Sequence, residues 1–76
     1  MKNTEIPNVL KLAVLNKELE QLCLLRYQLE VRHRVNMRIG SQQSQLDAIA
    51  KELETCEKAI DAYRAELDAL GKENKT

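Results

Sequence analysis

The side chains able to do chemistry in this 76-residue chain are few, and their spacing decides what they can do. Cys23, Cys56 and the single histidine, His33, stand 10 and 23 positions apart in order of sequence, which is not the spacing of a zinc site. Nucleophilic catalysis needs a nucleophile beside a base that a third group orients, and His33 has no patterned partner. Glu57 and Asp61 form an i, i+4 carboxylate pair on what reads as a helix, a common feature of solvated faces, and no third ligand converges on them. Arg32-His33-Arg34-Val35-Asn36-Met37-Arg38 is the one basic cluster, and its guanidinium groups suit phosphates or an acidic protein. These residues point away from an enzyme. No metal, cofactor or small-molecule substrate is expected.

Composition narrows the class further. Twelve basic residues balance twelve acidic ones, so the chain lacks the strong positive charge usual in a domain that binds nucleic acid. The balance conceals unlike halves: residues 1–40 hold seven basic and four acidic side chains, residues 41–76 five basic and eight acidic. Two glycines and one proline are too little turn chemistry for a β-sandwich or barrel, and too little for a glycine-rich phosphate loop. Two cysteines do not make a disulfide framework. The apolar stretch Val9 to Leu15 is short and broken by Lys11, unlike an export signal, and no run approaches the ~20 residues of a membrane span. A cytoplasmic setting is expected.

What remains is helix. Pro7 suits a helix start, and no breaker follows until Gly40, so a first helix is expected over about 7–39. Gly40 can take a left-handed helix end, and Ser41 can cap the next helix, expected over about 42–70. Gly71 reads as its stop, before a polar tail over 71–76. Leu46, Ile49, Leu53, Cys56, Ile60, Tyr63, Leu67 and Leu70 alternate at spacings of three and four, a heptad seam. Leu12, Leu15, Leu19, Leu22, Arg26, Leu29, His33 and Asn36 repeat that rhythm. Folding the chain at residue 41 pairs Leu12 with Leu70, Leu15 with Leu67, and so on to Asn36 with Leu46. Continuing the first count past the glycine lands one residue out of phase with the second seam, which favours a turn over one long rod. The fold class is therefore all-α: an antiparallel two-helix coiled-coil hairpin, one domain, turning at about residues 40–41.

One seam does not absorb the apolar content of the first helix. Leu10, Val14, Leu24, Val31 and Val35 trace a second stripe, while Ala48, Thr55, Ala62 and Ala69 draw a line of small side chains on the second helix. Contiguous exposed apolar surface marks an interface. The hairpin is expected to associate, as a homodimeric four-helix bundle or on a helix of another protein. By architecture alone it is similar to plasmid RNA-binding regulators that form antiparallel four-helix bundles and to small type III secretion co-chaperones, though it shares no motif with either. The expected function is a small protein-interaction module: an adaptor, co-chaperone, assembly factor or inhibitor. The alternative is a dimeric nucleic-acid-binding regulator using Arg32, Arg34 and Arg38. Three polar residues interrupt the first seam, Arg26, His33 and Asn36, and such interruptions can fix register and partner.

Overall fold

A computed structural model describes residues 6–74, with side chains to Lys72; residues 1–5 and 75–76, where part of the expected polar lead-in and tail falls, lie outside the described residues. Two helices make up the fold, α1 (Asn8–Arg38) and α2 (Gln43–Asn74), packed along their length as an antiparallel hairpin. Pro7 sits just before α1 with an extended backbone (φ −59°, ψ 149°), and its carbonyl accepts from Leu10 at 3.0 Å and Lys11 at 3.1 Å. Proline has no N–H to leave unsatisfied at this position.

The reversal is built on Gly40, at φ 75°, the left-handed region that costs L side chains roughly 1–2 kcal/mol. There the Ser41 N–H reaches back to the Asn36 carbonyl at 2.9 Å and the Gly40 N–H to the Met37 carbonyl at 3.3 Å. That double closure is a Schellman end, which satisfies carbonyls the helix leaves open. Side chains reinforce it: the Ser41 hydroxyl donates to Asn36 Oδ1 at 2.6 Å, and Asn36 Nδ2 donates to the Arg32 carbonyl at 2.7 Å. Ser41 was expected to cap α2. Its hydroxyl is committed to α1 instead, and the Gln42 carbonyl accepts from Gln45 and Leu46 at 3.0 and 3.2 Å.

Gly71 does not stop the second helix. α2 continues to Asn74, so the expected tail from residue 71 begins as helix. A glycine costs a helix interior only about 1 kcal/mol relative to alanine. Leu70 is buried beside it, Lys72 reaches Asp68 at 3.5 Å across one turn, and no chain reversal demands a left-handed residue here.

All sixteen seam positions are buried or half-buried, as the heptad reading requires. Leu29, Ile49, Cys56 and Ile60 form the central cluster, with Leu19, Leu22, Cys23 and Leu53 packed against it. The Cys56 thiol donates to the Leu22 carbonyl of α1 at 3.3 Å, a direct tie across the seam. Opposite charge on the two helices produces no such tie. Both ion pairs, Glu54–Lys58 at 3.8 Å and Asp68–Lys72 at 3.5 Å, are exposed and lie within α2; among the described residues none joins α1 to α2.

The two glycines should respond to alanine in opposite directions. Neither Cβ would meet another atom within 4 Å, so backbone preference alone decides. Gly40→Ala should destabilise by about 1–2 kcal/mol and Gly71→Ala should stabilise by about 0.5–1 kcal/mol in urea titrations followed by circular dichroism.

Candidate interaction surface

The hairpin is a rod of 58 × 17 × 16 Å, only two helices thick, and its radius of gyration is 17.4 Å against about 11 Å for a compact chain of this length. In so thin a body the seam itself is poorly covered. Among the described residues, Leu29, Ile49, Cys56, Ile60 and Leu70 are the buried apolar side chains, Ile60 alone fully so, while Leu12, Leu15, Leu19, Leu22, Leu46, Leu53 and Leu67 are half-buried.

Heptad geometry gives the rod two flanks beside the seam. On one, the residue preceding each first seam position of α1 (Lys11, Glu18, Leu25, Arg32) runs beside its counterpart in α2 (Glu52, Ala59, Glu66). Two surface grooves open on this flank. The larger, about 630 Å³, has Leu22, Leu29, Ile49 and Cys56 along its floor, with Leu25 and Arg32 on one wall and Ala48, Glu52, Thr55 and Ala59 on the other. The smaller, about 320 Å³, lies between Lys11, Val14 and Leu15 of α1 and Glu66, Ala69 and Leu70 of α2. The opposite flank of α2 carries Asp47, Glu54, Glu57, Asp61 and Asp68, five carboxylates that make burial against another helix costly. The grooved flank of α2 carries five small residues, Ala48, Thr55, Ala59, Ala62 and Ala69, and fewer carboxylates, Glu52 and Glu66.

The structure divides the stripe expected from sequence. Val14 and Val35 are exposed toward the grooved flank, 59% and 48% accessible. Leu10 and Leu24 are also exposed but line neither groove, since their heptad positions lie opposite the seam. Val31 is half-buried rather than exposed. Leu25, 40% accessible and on the wall of the larger groove, was missed. Its signal was present: counting from Val14 in steps of four and three passes through Glu18, Gln21, Leu25, Gln28 and Arg32 to Val35.

The basic cluster is also divided. Arg32 lines the larger groove beside Glu52 and Lys51, whereas Arg34 and Arg38, one turn apart, project from other faces of α1. None of the three forms an ion pair among the described residues. Of the polar seam residues, all half-buried, Asn36 is held by the turn, and Arg26 lies near the Cys56 thiol. Both cysteines are free thiols, Cys23 half-buried and Cys56 buried. Among the described residues no group of three His, Cys, Asp or Glu side chains is placed to hold a metal ion, and no helix is long and apolar enough to cross a membrane. Comparison with protein-family models, curated proteins and solved structures finds no match for the chain.

Burial pushes the Cys56 thiol above its ordinary value of 9.0, with the Arg26 cation pulling the other way and Cys23 and Glu57 adding to the rise. A thiol that stays protonated in the folded state but ionises in the unfolded one contributes stability below pH 9 that is lost as pH rises beyond it. Unfolding midpoints should therefore decline above pH 9 in the native chain and decline less in Cys56→Val. In the same pH range, Ellman's reagent should modify Cys23 first, with Cys56 about tenfold or more slower until the chain unfolds.

Proposed function

We propose that this chain is a helical protein-interaction module whose grooved flank receives a helix from another polypeptide. One observation carries the reading: after the hairpin has formed, Val14 and Leu25 of α1 remain exposed at grooves whose other wall is lined by small side chains of α2, over a seam that is itself incompletely covered, and Val35 is exposed on the same flank outside both grooves. Apolar ridges next to a trough of alanines suit helix-in-groove recognition, in which anchors at helical spacing enter a hydrophobic channel. Such a module acts as an adaptor, a co-chaperone, an assembly factor or an inhibitor, by masking or bridging helices. Self-association belongs to the same mode. Leu10 and Leu24 extend the apolar surface around the back of α1 and are secondary to the groove. The nucleic-acid reading draws less support, because Arg32, Arg34 and Arg38 do not share a face.

The test compares charge placed on the two sides of α1. Leu25→Asp/Val35→Asp should lower the associated mass seen by light scattering and abolish retention of proteins from a native extract. Leu24→Asp, on the back, should leave both nearly unchanged. Helicity is followed in parallel, and a variant that unfolds is measured again in trimethylamine N-oxide, which favours burial. Equal behaviour of the double variant and the native chain, both folded, would remove the grooved flank from the function.

A further inference from the structure

We propose that the helix received by the grooved flank comes from a second copy of this chain, related by a two-fold axis along the length of the hairpin. This rests on the interaction-module reading and specifies its partner. In that dimer α1 of each copy lies antiparallel along α2 of the other, and both turns stand at the same end of a four-helix bundle.

Area sets the scale. One chain exposes 6060 Å², while a compact protein of 8.7 kDa exposes about 4,700 Å². A compact body of twice the mass exposes about 7,800 Å², so two hairpins merging into one bundle hide on the order of 4,000 Å², within the range of obligate homodimers. The five carboxylates on the other flank of α2 leave the grooved flank as the side on which both helices can be covered.

Charge and size then choose between the two symmetric ways of joining grooved flanks. An axis across the hairpin sets α1 on α1 and α2 on α2. That arrangement sets the α1 flank, with Lys11 and Arg32 against a single Glu18, on itself, and the α2 flank, with Glu52 and Glu66, on itself. It also sets large side chains on large and alanines on alanines, leaving gaps. An axis along the hairpin sets the basic helix on the acidic one. Because this axis leaves heights unchanged, Val14 comes level with the partner's Ala69, Gln28 with the partner's Thr55, and Val35 with the partner's Ala48, large against small each time. Arg32 and Glu52, neither of which has an ion-pair partner among the described residues, become neighbours across the interface twice over. Two like-charged matches lie at the same level, Glu18 with Glu66 and Arg32 with Lys51; Lys11 lines the smaller groove beside Glu66, and Glu52 stands beside Arg32 and Lys51 in the larger.

Pulsed electron spin resonance measures which ends meet. A nitroxide on Gln42→Cys, in a Cys23→Ser chain with Cys56 left buried, should report a single separation between copies of roughly 20–30 Å, two or three helix spacings of 8–10 Å. A label on Ser44→Cys gives a second position should the first disturb the turn. Arg32→Glu should weaken the dimer severalfold, and Arg32→Glu/Glu52→Arg should restore it. A dimer whose labels stand apart by nearly the 58 Å length of the rod overturns this arrangement and leaves the interaction-module reading in place. A folded monomer at all concentrations overturns the second copy as occupant. The module reading itself then stands or falls separately, on whether Leu25→Asp/Val35→Asp changes retention of other proteins.

Discussion

Everything in this structure depends on a mismatch between its two helices: α1 has apolar side chains around much of its circumference, and α2 can cover only one stripe of them. A two-helix coiled coil buries the residues that alternate at three and four, and the remaining faces meet water. α2 is made for that situation, with carboxylates along one flank and small residues along the other. α1 is not, since Val9, Leu10, Val14, Leu24, Leu25, Val35 and Met37 are exposed after folding. α1 spreads its apolar side chains beyond one stripe and interleaves them with charged ones, so part of its apolar surface stays in water after the hairpin forms. The hairpin alone is too thin to cover it.

Much of the fold was legible because the heptad signal is redundant. Eight positions in each helix repeat one rhythm, so the seam, the antiparallel pairing and the turn at Gly40 each follow from many residues at once. Where a single residue carried the inference, the result was mixed. Gly40 and Gly71 look alike in sequence, yet only Gly40 must reverse the chain, and only there does a left-handed backbone with its Schellman closure repay breaking the helix. Ser41 offered its hydroxyl to either helix, and Asn36, one turn back on α1, was the nearer partner. The candidate surface was legible in part. The stripe through Leu10 and Leu24 follows positions opposite the seam, where both are exposed, whereas the two grooves open beside the seam with Leu25 on a wall. Groove position depends on which α2 flank is small, and that comparison needs both helices in register.

The polar seam residues acquire distinct meanings once the turn is seen. Asn36 reads from the heptad as a defect at a buried level, but its side chain links the last turn of α1 to Ser41 and to the Arg32 carbonyl. It therefore helps fix where the helix ends, and with it the register of the pairing beyond. Arg26 lies at the level of Cys56, where a long side chain can keep its guanidinium in water while its methylenes cover the seam. The cost is an incompletely closed layer beside the larger groove. Such a layer weakens a lone hairpin less than it weakens the alternatives, because shifting the register by one heptad would put Arg26 against Ile49 or Tyr63 instead of a small thiol.

The asymmetry of α2 also limits what can dock. Its carboxylate flank repels both apolar and acidic helices, while alanines on the grooved flank let another backbone approach closely. An incoming helix must therefore bring bulk where α2 has none, and positive charge where α2 is negative. In the proposed dimer, α1 of another copy brings Val14 and Val35 as bulk and Arg32 as positive charge. If burial of the groove supplies stability that the seam lacks, folding and association become one equilibrium, set by the concentration of whatever fills the groove. Such a protein is most stable when its partner is abundant. On the proposed reading, occupancy of the groove sets how much of the chain persists in folded form.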